Sequence, residues 1–325
     1  MQATRFSVGI DVSKSKLDLA LRLNGKVRNK VITNNDAGFK SLLEWLEEHV
    51  PGGAAAAHVC VEATGSYHEA VALFLCDHSV LVSVINPFVI KRYAESRLQR
   101  NKTDRADARV IAQFCEQEVP AAFVPPSKSV RSLQALVLRL QTLEVMEHAE
   151  RNRLDVAHDV VKPSVQTVLD SLTEAIADVR RQISDTIDKD PDLKNRSDLL
   201  DTIPGLGERS IPQLLAFIGR PERFESGKAL AAFAGLCPSI KESGSSVRRR
   251  GAISAFGSHS LKRCLYFPAM VAGRYNPVIQ PFWRRLMAQG KPGKVVVVAC
   301  MHKLLCLVYA VLKSGRPFDP ALSRA

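Results

Sequence analysis

Leu17, Leu19, Leu21 and Leu23 alternate with Lys16, Asp18, Ala20 and Arg22, and Asn24-Gly25 follows at once. A period of two over this length gives a strand with one apolar face. Asn-Gly is the dipeptide of a two-residue hairpin turn, so Val27 to Thr33 is expected to return as an antiparallel strand. Upstream, Phe6 to Asp11 reads as a shorter strand with Val8 and Ile10 on one face, ending in Gly9-Ile10-Asp11. A chain that opens on such a meander is committed to a sheet.

Strand–helix alternation comes next. Asn35 or Asp36 caps a helix carrying Phe39, Leu42, Leu43, Leu46 and Val50, and Pro51-Gly52-Gly53 ends it. His58 to Glu62 is a buried strand (Val59, Val61) that delivers Glu62. A helix from Tyr67 to about Asp77, a strand from Val80 to Ile85, and a further helix after Asn86-Pro87 complete an α/β or mixed-sheet pattern.

Asn101-Lys102-Thr103-Asp104-Arg105-Ala106-Asp107 opens one more helix, which Ala106, Ala108, Val110, Ile111, Ala112 and Phe114 continue, with Thr103 as the expected N-cap. Positions i and i+3 share a helix face, so Asp104 and Asp107 point the same way. Two carboxylates so placed repel unless a cation lies between them. Lys102, Arg105 and Arg109 can serve on a solvated face; a divalent metal serves better. Taken alone, the stretch also fits an ordinary exposed helix, Asp11 a turn, and Glu62 a solvated strand end. Together, acids at two strand ends and on a following helix can converge on one cleft. Mg²⁺ prefers oxygen ligands, and metal-assisted phosphoryl chemistry uses one ion or two about 3.5–4 Å apart.

Composition limits the partners. The 325 residues, 46% hydrophobic and 24% charged, describe a globular protein of two or three domains. From Pro221 to Ala325 there are 17 Lys or Arg against 4 Asp or Glu, a net +13, while the preceding 220 residues carry a net −1. A basic third joined to a neutral part with acidic motifs implies a polyanion, most simply nucleic acid. A basic membrane-surface protein would need an amphipathic Lys-rich anchor, which the chain lacks. The seven cysteines have no CxxC spacing and read as reduced thiols rather than a zinc site or a disulfide frame. With no signal-peptide core at Met1 to Phe6, a cytoplasmic protein is expected. Val295 to Leu312 is apolar enough to span a membrane, but His302 and Lys303 at its centre favour a buried core helix.

After Pro125-Pro126 come long helical stretches. Val130, Leu133, Val137 and Leu140, then Val168, Leu172, Ile176, Val179, Ile183 and Ile187, form narrow stripes. These suit a coiled-coil seam or helical hairpin, or equally a packed linker, with Pro163 marking the break. Ile203-Pro204-Gly205-Leu206-Gly207 then leads into a helix of Ile211, Leu214, Leu215 and Ile218. A Gly-x-Gly turn ahead of a helix can offer Gly205 and Gly207 backbone N–H groups to a phosphate, as in a helix-hairpin-helix element, or can be a plain tight turn. Lys241-Glu242-Ser243-Gly244-Ser245-Ser246-Val247-Arg248-Arg249-Arg250-Gly251 has the composition of a phosphate-gripping loop. Composition does not distinguish a nucleophilic serine there from a phosphate contact.

Gly9-Ile10-Asp11, Val61-Glu62-Ala63-Thr64-Gly65, Ile85-Asn86-Pro87 and Asn101 to Asp107 resemble the DEDD transposases of the insertion-sequence family numbered one-hundred-and-ten. So do Phe233-Ala234-Gly235-Leu236 with Glu242-Ser243-Gly244-Ser245-Ser246, and Gly290 to Lys294 with the helix after it. The resemblance implies an RNase H-like, Holliday-junction-resolvase-like domain over residues 1–125, a helical coiled-coil arm over 126–196, and a mainly α, basic transposase domain over 197–325. It implies Asp11, Glu62, Asp104 and Asp107 as Mg²⁺ ligands and a serine that attacks DNA: Ser243 by position, with Ser245 and Ser246 in reserve. Lys102, Arg105, Ser245, Ser246, Arg248, Arg249 and Arg250, with Gly205 and Gly207, are the candidate nucleic-acid contacts. The implied partners are double-stranded donor and target DNA, a structured guide RNA, and further copies of the chain. These would form a dimer that pairs into a tetramer with a composite site between protomers, in a nucleoid-associated cytoplasmic protein. Two alternatives stand beside this reading: an Mg-dependent Holliday-junction-type endonuclease using water in place of serine, and a non-catalytic nucleic-acid-binding protein.

Overall fold

The structure, a computed structural model, describes residues 6–63, 65–97, 104–239, 242–243, 247–248, 252–253 and 257–321. For 104–105, 238–239, 242–243, 247–248 and 252–253 the description covers the backbone alone. Thr64, Lys102, Thr103, Ser245, Ser246, Arg249 and Arg250 lie outside the described residues. The chain forms two compact units, 1–125 and 126–325, with residues 126–196 in the second.

In the first unit β1 (Phe6–Val12), β2 (Lys16–Leu23) and β3 (Lys26–Thr33) make the expected meander. Asn24 and Gly25 turn it with φ of 47° and 77°, the positive pair that a two-residue hairpin needs to match strand twist. Then come α1 (Asp36–His49), β4 (Ala57–Glu62), α2 (Glu69–Asp77), β5 (Leu81–Ile85), α3 (Pro87–Ser96) and α4 (Asp104–Glu118). Asn35 caps α1 by accepting the Gly38 N–H, and Asn86 caps α3. The strand order is β3-β2-β1-β4-β5, with β1, β4 and β5 parallel. Strand alternation sends Val8, Ile10, Leu19, Leu21, Val59 and Val61 into one core with Phe39, Leu42 and Leu46 of α1 and Val71 and Leu75 of α2. The opposite face carries α4, through Ala20 against Ala108 and Ala112, and Cys60 in a cluster with Ile111 and Cys115.

In the second unit, α5 (Lys128–Val156) and α6 (Lys162–Asp188) are joined by five residues, too few for anything but an antiparallel hairpin. Arg180 bridges to Glu144 across it at 2.9 Å. Pro163 sits in the first turn of α6, where its missing N–H costs nothing. One expectation is corrected. The α6 seam runs through buried Leu169, while Val168 is 45% exposed. At about 100° per residue, a step of seven from Ile176 returns within roughly 20° of the same line and a step of eight overshoots by about 80°.

Then follow α7 (Pro191–Asp201), α8 (Ile211–Ile218), α9 (Gly227–Phe233), α10 (His259–Tyr275), α11 (Ile279–Ala288) and α12 (Gly293–Ser314). Between α9 and α10 lie β6 (Pro238–Ser239), β7 (Glu242–Ser243), β8 (Val247–Arg248) and β9 (Ala252–Ile253), paired β6 with β9 and β7 with β8. Among the described residues, α12 is the helix long and apolar enough to cross a bilayer. Its Val296, Cys300, Leu304, Leu305 and Val308 are instead buried in the core of this unit, against α9 and α10.

Asp190 caps α7, its carboxylate accepting the Asp192 and Leu193 N–H groups. The Ser129 hydroxyl, then these amides, hold its carboxyl below the usual range. Asp190→Ala is expected to cost about 1 kcal/mol at neutral pH. Because the folded pKa is depressed, that contribution is full above about pH 4 and is lost as pH falls through the folded value. Chemical denaturation of both proteins at neutral and acid pH checks it; a pH-independent difference would be the wrong sign of evidence for a charged cap.

Candidate functional site

Parallel register sets Ser7 beside His58, Gly9 beside Cys60 and Ile10 beside Val61. Continued one step past Ile10 and Val61, the register brings Asp11 next to Glu62 near the carboxyl ends of β1 and β4. Alternation puts Ser7, Gly9 and Asp11, with His58, Cys60 and Glu62, on the face that α4 covers. The contacts of α4 give its direction. At one end the Cys115 thiol donates to the His58 carbonyl at 3.3 Å and Arg22 pairs with Glu116. In the middle, a Cβ on Gly9 would lie 2.2 Å from the Ala108 carbonyl oxygen and 2.3 Å from the Ala112 nitrogen. Two strand residues advance about 6.7 Å, which a helix covers in four to five residues at about 1.5 Å each. Stepping once more, from Gly9 to Asp11, therefore reaches the first turn of α4, which carries Asp104 and Asp107. Asp11, Glu62 and Asp107 are each partly buried and each engaged in interactions. For Asp104 and Arg105 the backbone alone is described, at the start of α4.

The ladder adds an acid that no sequence motif singles out. Asp18 is directly opposite Asp11 on β2, on the same face, 7% exposed, with Lys16 Nζ 3.1 Å from its Oδ2. Its signal was present: the residues between the alternating leucines should face away from the leucine core, and Asp18 is the acidic one. Also unforeseen is the meeting of His58, Cys60 and Cys115, whose ligand atoms lie within 4.8 Å of one another in the interior. The Cys60 thiol, then His58 and Ser7, pull Cys115 down to about 6, and Cys60 is pushed up in turn. No CxxC spacing announces such a group, because Cys115 arrives by packing of α4.

In the second unit Ser243 lies on β7 opposite Val247, and Arg248 on β8 opposite Glu242. The flanking pair β6–β9 closes the base of the segment. Gly205 has φ of 111°, and a Cβ there would lie 2.7–2.9 Å from Ala272 of α10. Close packing therefore accounts for this glycine. Gly207 is open around its Cα, but its N–H donates to Ser210 Oγ at 3.2 Å. Asn276, fully buried, donates to the Pro204 carbonyl and so ties the turn to the end of α10.

Sequence comparison adds family evidence to this geometry. Residues 8–163 match a family described as transposase, the DEDD type of IS110, and residues 197–284 match one described as transposase IS116/IS110/IS902 family. The pilin gene-inverting protein of Moraxella bovis is 35% identical over 96% of this chain and 97% of its own length, as is that of Moraxella lacunata. An IS110 insertion-element protein of Streptomyces coelicolor is 27% identical over 50% of this chain and 38% of its own. The class is thus that of DNA transposases and recombinases, acting on DNA. Within that class, the chain belongs to the IS116/IS110/IS902 transposase family.

Proposed function

We propose that this chain is an insertion-sequence recombinase that cuts and rejoins DNA through a carboxylate-held metal and a serine nucleophile. The observation that carries the reading is the β1–β4 register, which continued one residue past Ile10 and Val61 sets Asp11 beside Glu62 on the α4 face, towards the end where α4 begins with Asp104 and Asp107. The strand order β3-β2-β1-β4-β5 supports an RNase H-like first unit. Ligands of open α/β sheets gather at the carboxyl ends of the strands, where these acids lie. The α5–α6 hairpin supports a coiled-coil arm, and the α7–turn–α8 unit a helix-hairpin-helix-like element.

The donor set is all oxygen and anionic, which fits Mg²⁺. Held by Asp11, Glu62, Asp104 and Asp107, the ion would stabilise charge on the scissile phosphate. Ser243 Oγ forms a bond to phosphorus, one phosphorus–deoxyribose oxygen bond breaks, and the serine proton ends on the departing sugar oxygen. The phosphoserine link conserves bond energy, and a hydroxyl of another strand reverses the step to rejoin. Arg248, Arg249 and Arg250, with the basic last third, supply backbone contacts. A guide RNA pairing with donor and target DNA supplies sequence choice, and the arm supports dimers that pair into a tetramer.

Ser243→Ala is expected to abolish strand exchange and any covalent protein–DNA adduct while leaving folding intact. Trapping the chain on cognate DNA and mapping the phosphorylated residue by mass spectrometry checks it directly. An adduct on Ser245 or Ser246 would reassign the nucleophile. Undiminished Mg²⁺-dependent cleavage without an adduct would favour a water-using junction endonuclease.

A further inference from the structure

We propose that His58, Cys60 and Cys115 form a structural zinc site that fastens α4 to β4. The cluster lies next along β4 from Glu62 on the same face, but shares no ligand with the acidic group and does not depend on the reading given above. Its three ligand atoms lie within 4.8 Å of one another, from residues buried to 2% exposure or less. Two sulfurs of a tetrahedral zinc site stand about 3.8 Å apart, given Zn–S bonds of about 2.3 Å. The cluster is therefore close to size before any ion binds.

Hydrogen bonds on the far side of the ring also set the histidine for the task. His58 Nε2 lies 2.8 Å from Ser83 Oγ. That hydroxyl has its own proton directed at the main-chain carbonyls of Pro120 and Ala121, at 3.0 and 2.8 Å. Carbonyls only accept, so the serine oxygen accepts from His58 Nε2–H. The neutral ring then carries its lone pair on Nδ1, the form a metal requires. Ser7, buried and opposite His58 in the β1–β4 register, offers an oxygen for a fourth position.

Charge selects the ion. Binding releases one proton from each thiol to solvent, and the two thiolates, with a neutral imidazole, cancel the charge of a dication. The loaded group is neutral in an interior where net charge is costly. A monovalent soft ion would leave a charge or a protonated thiol, and Mg²⁺ does not favour sulfur. His58 and Cys60 are on β4 and Cys115 is on α4, so a bound ion would crosslink strand and helix beneath the site.

The test uses the full chain, unfolded and refolded with or without zinc under reducing conditions, then gel-filtered and measured for metal by mass spectrometry. One zinc per chain is expected, and a higher melting temperature with zinc than without. Cys60→Ser and Cys115→Ser should each lose the metal, whereas Cys264→Ser, a buried cysteine outside the cluster, should keep it. Ser83→Ala, which keeps all three ligands, should weaken zinc affinity by roughly 10–100-fold. Refolding with Co²⁺ should give thiolate-to-cobalt charge-transfer absorption, a readout that survives if a variant is merely unstable. Less than a tenth of a zinc per chain with no cobalt–thiolate band would overturn the proposal. So would retention of zinc in both cysteine variants, or a Cys60–Cys115 disulfide in place of metal.

Discussion

Asp107→Asn is expected to slow DNA strand exchange by roughly 1,000-fold, equivalent to about 4 kcal/mol of lost stabilisation of the phosphate's charge. The asparagine keeps the shape of the carboxyl and removes its charge, so the melting temperature should stay within a degree or two. Asp107 lies in the first turn of α4, and the spacing of strand against helix sets that turn over Asp11 and Glu62. The measurement is a single-turnover recombination assay on cognate DNA across an Mg²⁺ titration. Partial recovery at high Mg²⁺ would point to a weakened ligand. A rate equal to that of the parent chain would remove Asp107 from the site and revive a non-catalytic DNA-binding role. Asp18→Asn belongs in the same experiment, since Asp18 is Asp11's partner across the β1–β2 ladder.

The second large effect is expected at a residue with no side chain. Gly9→Ala would set a methyl group 2.2 Å from the Ala108 carbonyl oxygen and 2.3 Å from the Ala112 nitrogen. Both obstacles are backbone, so trimming a neighbouring side chain gives no room. Helix α4 has to lift by about 1 Å, at roughly 1–3 kcal/mol for the overpacked contact. A displacement of about 1 Å in catalytic geometry can cost on the order of 100-fold in rate. Gly9→Ala should therefore fold with a lowered melting temperature, bind DNA through the basic third, and recombine about 100-fold more slowly. Introducing Ala112→Gly as well should not restore it. Full activity in Gly9→Ala would mean that α4 tolerates displacement, and that its seating on the sheet does not govern the acids.

These two residues differ in how they could be read from the chain. Asp107 is conspicuous beside Asp104, at a helical spacing within a charged heptamer. Gly9 looks like an ordinary glycine in a strand, and only the α4 contact explains it. Gly205 behaves the same way: the linear pattern offers it as a phosphate-binding turn residue, while its packing against Ala272 supplies a structural reason for glycine there. Leu169 replaced Val168 in the α6 seam because helical phase, over two turns, separates adjacent residues by more than inspection suggests. Cys60 and Cys115 look like scattered thiols in the linear sequence because their separation along the chain says nothing about a helix laid across a strand.

Local order was decided by the chain alone. The leucine alternation, the Asn24-Gly25 turn, the asparagine caps of α1 and α3, the helical arm and the basic last third all follow from interactions within a few residues, or from composition. Tertiary structure decided which distant groups share a face: Asp11 with Glu62 and Asp18, Gly9 under α4, and Cys115 beside His58 and Cys60. The physical reason is that turns, caps and periodicity are satisfied by neighbours in sequence. Strand register and the seating of a helix on a sheet are instead set by close packing between segments that the linear order leaves far apart.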